Sequence, residues 1–439
     1  MQTIQADHAL VIGGSMAGLL AARALADTYE HVTIIERDRL PAVGEGRKAV
    51  PQGRHVHLLL PAGLQSIEAF FPGLRQELVD AGAHPFVPGE LRFEIRGHVL
   101  TRDGDPEVAV SASRPLIEGL VRRRVLALPN VDITEGTEVT GLTADDGNRR
   151  VTGVRVRERG GDGGERHLQA HKVVAATGRA GHVPAWLEAL GYPRPAEETL
   201  RIELSYATRC LRRDPASLGG DRWILVGPRP GWPRGLALSA VEGDRWLLTM
   251  AGYGSTHHPP TDEAGFMKFV ASVAPPEILA PLEKAEPLGD VVPHGFPTNQ
   301  RRRYERLARW PEGFLVCGDA IASFNPLYGQ GMTVAALEAR ALRDCLRRGS
   351  DGIERRFLRA ANRHVEHAWQ MAIGGDLALP EVDGHRPLPV RVLNAYTDRL
   401  LRVACRDPSV ASAFRGVVGM LHAPPRLMRP DVALRVLRG

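Results

Sequence analysis

Lysine is nearly missing from this chain. Of its 56 basic residues only Lys48, Lys172, Lys268 and Lys284 are lysines; the rest are arginines dispersed over 439 residues. Short clusters such as Arg122–Arg124 and Arg301–Arg303 make no basic stripe, so the net charge of +5 and pI near 9.2 do not point to nucleic acid. Cysteine is also scarce. Cys210, Cys317, Cys345 and Cys405 stand far apart with no C-x-x-C pair, which argues against a disulfide framework or zinc site and for reduced thiols in a cytoplasm. No apolar run approaches the ~18 residues of a membrane span. No basic segment leads into an apolar core at the start, so no export signal is expected. No H-x-x-x-H encloses a carboxylate, which leaves no metal expected, and no well-spaced G-x-S-x-G suggests a serine hydrolase.

What is present begins at residue 8. HALVIG reads as a short buried strand, MAGLLAARALAD has apolar residues at helical spacing, and HVTIIER closes a βαβ unit with a parallel pair. Between strand and helix lies Gly13-Gly14-Ser15-Met16-Ala17-Gly18, close to the G-x-G-x-x-G fingerprint but with Ser15 at the second glycine. Gly13 and Gly18 hold the two sterically strict places, and Ser15 is small enough for a pyrophosphate to approach, with a hydroxyl free to donate. Glu36 ends the second strand at the spacing where an acid binds a ribose diol.

A second stretch, FLVCGDAIASFNPLYGQGMTVAALEA, gives a buried strand, then Gly318-Asp319, then Pro326-Leu327-Tyr328-Gly329-Gln330-Gly331-Met332 opening a helix. Two nucleotide-type strand ends this far apart suggest one ligand long enough to touch both. Elsewhere, Ser113 is placed to cap a helix over 113–128, and residues 131–178 read as a β-meander ending in a buried strand. Residues 181–297 read as a larger antiparallel sheet, and the C-terminal ~90 residues as helices broken at Pro387, Pro389, Pro408 and HAPPRLMRP. His55 and His57 alternate in RHVHLLL, so as a strand only one would face a site. Tyr206, Arg209 and Tyr253 fall on strands able to line a substrate face, with core or surface roles as the plainer reading.

Taken together, GGSMAG with Glu36, RKAVPQGRHVHLLL, SRPLIEGL, VVAATGRAG and CGDAIASFNPLYGQGM resemble the FAD-dependent monooxygenases of the aromatic-hydroxylase type. Within them the likeness is greatest to actinobacterial flavin epoxidases of polyether biosynthesis, of the lasalocid epoxidase type. The resemblance implies an α/β fold: a Rossmann-type, glutathione-reductase-like FAD domain (1–85, 105–180 and 290–350), an antiparallel-sheet substrate domain (86–104 and 181–289) and a C-terminal helical region (351–439). It implies that Gly13, Gly14, Ser15, Met16, Ala17 and Gly18 hold the FAD pyrophosphate, with Glu36 on the adenosine ribose and Arg37 beside the adenine. Val139 would meet the adenine through its backbone. Arg47 and Arg54 would lie along the flavin side, Arg114 near the ribityl chain or pyrophosphate, and Gly178 in VVAATGRAG beside the cofactor. Gly318 and Asp319 would take the ribityl or pyrophosphate end. Pro326 and the amides of Gly329, Gln330, Gly331 and Met332 would face the flavin pyrimidine edge. Ser15 and Ala49 depart mildly from the family pattern.

The activity so implied is formation of a flavin C4a-hydroperoxide and transfer of one oxygen to a hydrophobic natural-product intermediate, with alkene epoxidation in front. Aromatic hydroxylation and reduction of isoprenoid double bonds are the alternatives. O2 would be the co-substrate, NAD(P)H a transient electron donor acting directly or through a flavin reductase, and the substrate either free or carrier-tethered. No residue stands out as a catalytic acid or base.

Overall fold

The computed structural model describes residues 6–47, 51–104, 109–160 and 164–439; Lys48 and Ala49 of the basic loop lie outside them. The first βαβ unit forms as its pattern requires: β1 (Ala6–Ile12), α1 (Met16–Ala26) and β2 (Tyr29–Ile35). Leu10, Val11, Leu19, Leu20, Val32 and Ile34 are fully buried between sheet and helix, which is what organises this half of the molecule. β1 and β2 sit inside a five-stranded parallel sheet ordered Phe314–Val316, Lys172–Ala175, β1, β2, Val131–Thr134.

The meander differs from the sequence expectation at both ends, and its first strand, Val131–Thr134, pairs in parallel beside β2. Thr137–Ala144, Val151–Glu158 and Arg166–Gln169 make a three-stranded antiparallel sheet, whereas the buried strand Lys172–Ala175 leaves it to pair beside β1. Its four residues are buried throughout, so covering on both faces outweighs continuity with the meander.

The second sheet has eight strands. Ala322–Ser323, Val292–Arg302, Glu197–Arg212, Arg245–Tyr253, Arg234–Val241 and Trp223–Val226 run antiparallel in that order. Leu91–Ile95 then joins Trp223–Val226 in parallel, so the sheet is not wholly antiparallel. Val292–Arg302 carries this sheet to the strand ends of the first: the Arg302 amide donates to the Ile321 carbonyl at 2.8 Å.

C-terminal helices Ile353–Asp376, Leu388–Ala404, Pro408–Val418 and Pro430–Arg438 cover one side. The prolines start helices more than they stop them, because a first-turn residue needs no N–H partner. Asp407 caps the helix beginning at Pro408 by accepting from Ser409 and Val410. Ser113 likewise accepts from the Leu116 amide at 3.3 Å, capping Arg114–Leu126. Among the described residues no helix is long and apolar enough to cross a membrane.

Candidate functional site

The glycine loop is a steric consequence of bringing a strand and helix together. Gly13 has φ +106°, and a Cβ there would lie 2.5 Å from the Ala176 carbonyl oxygen. A Cβ on Gly18 would overlap the Gly13 carbonyl oxygen. The Gly14 amide donates to Glu36 Oε2 at 2.8 Å, tying the loop to the end of β2. Ser15 occupies the N-cap of α1 without capping it. Its hydroxyl instead donates to Glu118 Oε2 at 2.7 Å and accepts from Arg114 Nη2 at 3.0 Å. The donor that the sequence left free for a pyrophosphate is therefore already committed.

Ser15 belongs to a buried charge network. Arg47 reaches Glu36 Oε2 at 2.7 Å and Glu118 Oε1 at 2.8 Å, and also donates to the Gly14 carbonyl at 3.0 Å. Arg114 pairs with Glu118 at 2.8 Å, one helical turn away. Burial raises the Glu118 pKa, but Arg114 and Arg47 reverse that and hold it at about 2. Glu118 lies inside SRPLIEGL, and its only sequence signal is the four-residue spacing from Arg114. Arg37 and Val139 border the same cavity near Glu36. Arg54 is exposed at the end of the Pro51–Arg54 turn and is not part of the cavity wall.

At the far strand end, Gly318 has φ +65°, and a Cβ there would lie 2.6 Å from Ala17 Cβ, so the two glycine turns abut. Asp319 is exposed on the cavity wall, enclosed on its other sides by the protein. Burial raises its pKa against the pull of Arg114 and Arg179. Behind it the Gly318 amide donates to Glu338 Oε2 at 2.6 Å, and burial pushes the Glu338 carboxyl up to about 8. Pro326–Tyr328 forms a single turn, Gly329 takes φ +65°, and the helix Gly331–Arg347 follows. Its first-turn amides have no helical acceptor and lie on the positive end of the helix dipole.

That turn is held by a hub invisible in sequence. Asp376, fully buried, accepts from Tyr253 Oη at 3.1 Å, Tyr328 Oη at 3.0 Å, Asn325 Nδ2 at 2.7 Å and Asn299 Nδ2 at 2.7 Å. Burial raises it to about 6 despite these donors. The hub links two strands of the large sheet, the turn and the C-terminal helix.

One cavity of about 840 Å³ joins these parts and continues beneath the large sheet. The expectation that only one of His55 and His57 faces it fails, because the segment is a 3-10 turn and coil, not a strand; both border the cavity. Burial together with His294 lowers His55 to about 3, and burial together with Arg114 lowers His57 to about 4. Tyr206 and Tyr253 also line it, whereas Arg209 turns away to Glu263 at 3.1 Å.

The residues present fit an extended dinucleotide. A carboxylate stands at one end, the α1 N-terminus and Asp319 in the middle, and free helix amides at the other. Gly178, at φ +71°, faces open space, and the buried Thr177 Oγ1 and Gln330 Oε1 lack partners among the described residues. Residues 7–352 match the family model described as FAD binding domain. The chain is 37% identical over 424 residues to Protein Rv3254 of Mycobacterium tuberculosis, covering 93% of this chain and 88% of that protein. Its fold is similar to p-nitrophenol 4-monooxygenase PnpA from Pseudomonas putida, at 17% identity, 97% and 100% coverage and TM-score 0.67. It is similar also to the flavin-dependent brominase Bmp2, at 14% identity, 98% and 99% coverage and TM-score 0.69.

Proposed function

The chain belongs to the FAD binding domain family, and on that premise we propose that it is an FAD-dependent monooxygenase acting on a hydrophobic small molecule, with alkene epoxidation as its reaction. The observation carrying this reading is the continuous cavity that is lined by Glu36, Asp319 and the start of the Gly331 helix and also by residues of the large sheet. In it Glu36 would hold the ribose, Arg37 and Val139 the adenine, the amides of Ser15 to Ala17 the diphosphate, and Asp319 the ribityl end. Bound and reduced, the flavin would supply the two electrons that activate O2, one oxygen atom of which passes to the substrate while the other leaves as water.

The chain's own part is electrostatic and steric. The amides at the start of Gly331–Arg347 would stabilise negative charge on the pyrimidine edge of a bound flavin. The Asp376 hub keeps the preceding turn rigid. His55 and His57, lowered to about 3 and 4, are neutral at pH 7 and poor proton acceptors. Hydroxylating a phenol benefits from a base matched to the phenolic proton, whereas transfer to an alkene requires none. That contrast favours epoxidation over aromatic hydroxylation.

The test is product mass from FAD-loaded protein supplied with O2, substrate and either NADPH or NADPH with a flavin reductase. One added oxygen supports the proposal. Two added hydrogens would identify a double-bond reductase, and a protein that cannot be loaded with FAD would refute the reading.

A further inference from the structure

Leu91–Ile95 and His98–Val99 form a hairpin closed by two residues, Arg96 and Gly97. Both have positive φ, +53° and +82°. Two-residue turns of this kind favour Asn or Gly in the first place, because a larger L side chain is strained there. Arginine breaks that local rule, and such breaks concentrate where function demands them.

Arg96 borders the cavity, whose lining also includes Phe93, Ile95, Leu393, Tyr396 and Leu427. Several arginines of low exposure carry a carboxylate, Arg47 on Glu36 and Glu118, Arg114 on Glu118, Arg301 on Glu366 and Arg303 on Glu198, whereas Arg122 donates to the Pro41 carbonyl instead. Arg96 has none within 4.0 Å among the described residues, and its hydrogen bond is to Asn394 Oδ1 at 3.2 Å. Asp398 acts on it from farther off, but lies against Arg402 at 3.6 Å and His98 at 3.8 Å. Tyr328 also acts on it electrostatically, which puts the guanidinium beside the turn leading to Gly329–Met332.

We propose that Arg96 is an anion-recognising residue of the substrate chamber, and that the substrate is an elongated apolar molecule bearing a carboxylate. This rests on the monooxygenase reading and names the substrate class for it. A guanidinium among apolar side chains is costly without a counter-charge, and its planar fork matches a carboxylate with two parallel hydrogen bonds. The apolar wall around Arg96 would take the chain attached to that carboxylate, so its oxidisable part would lie toward the flavin end.

The test uses FAD-loaded protein and two probes of equal length, decanoate and 1-decanol, titrated by calorimetry. Wild type should bind decanoate about tenfold more tightly than the alcohol. Arg96→Asn suits the turn and removes the charge: it should bind the two alike while melting no lower than wild type. Arg96→Lys should keep part of the preference. Equal binding by wild type, a preference that survives in Arg96→Asn, or no binding of either probe would overturn the inference and leave the monooxygenase reading standing. A chain that cannot be loaded with FAD overturns both.

Discussion

Replacing Glu118 with Gln removes one charge from the centre of the Ser15 network while keeping its size. The Glu118 carboxyl, held at about 2 instead of its ordinary 4.5, ties about 3 kcal/mol of folding free energy to its ionised form. Loss of a partner from a buried pair costs about 3–5 kcal/mol in general, which agrees in scale. Arg47 keeps Glu36 in the variant, but Arg114 loses its carboxylate partner. The expected result at pH 7 is a loss of about 2–4 kcal/mol in urea unfolding followed by tryptophan fluorescence. The sign with pH follows from the lowered pKa. The stabilisation is fully present above about pH 4.5 and is lost as pH falls toward 2, so the gap between wild type and Glu118→Gln should close over that window. A gap below about 0.5 kcal/mol at pH 7, the scale of an ordinary surface substitution, would refute a structural role for this network. So would a gap unchanged at pH 3.

Ser15→Gly should retain FAD with a small loss of stability from its two hydrogen bonds, whereas Ser15→Leu should purify without flavin, read from its visible spectrum. Gly18→Ala should fail to give soluble protein in useful yield, since its Cβ overlaps the Gly13 carbonyl; normal yield and flavin content would refute the close packing of α1 on β1. Asp376→Ala should free Tyr328 and Asn325 and weaken FAD binding about tenfold or more, measured by flavin fluorescence quenching, while Glu36 and the α1 terminus stay intact.

Much of the nucleotide end was legible in the chain. Gly13, Gly18 and Glu36 lie within one βαβ unit, where local geometry dictates which positions tolerate no side chain. Ser113 as a cap is equally local, whereas the C-terminal prolines, read as helix breaks, in fact begin helices. Glu118 was not legible, because its meaning depends on Arg47, which approaches from a loop some 70 residues earlier. Asp376 was not either, since its donors come from two strands of the large sheet and from the 325–328 turn. The histidines misled for a related reason: alternation implies opposite faces only in a strand, and Pro51–Arg54 starts a turn instead.

By itself, then, the sequence determined where the backbone had to be bare and where the helices after Ser15, Ser113 and Gln330 began, as well as the order of its glycine turns. These depend on sterics and hydrogen bonding over a few residues. Only the tertiary structure decided which charges are neutralised and which face the chamber. Ser15 shows the difference: its hydroxyl is free in the linear chain and bound between Glu118 and Arg114 in the fold. Arg96 shows the converse, an unremarkable arginine in the sequence that folding leaves beside the chamber with no carboxylate within 4.0 Å among the described residues. Burial and pairing set the energy of a charge, and both are properties of elements that meet only when the chain has folded.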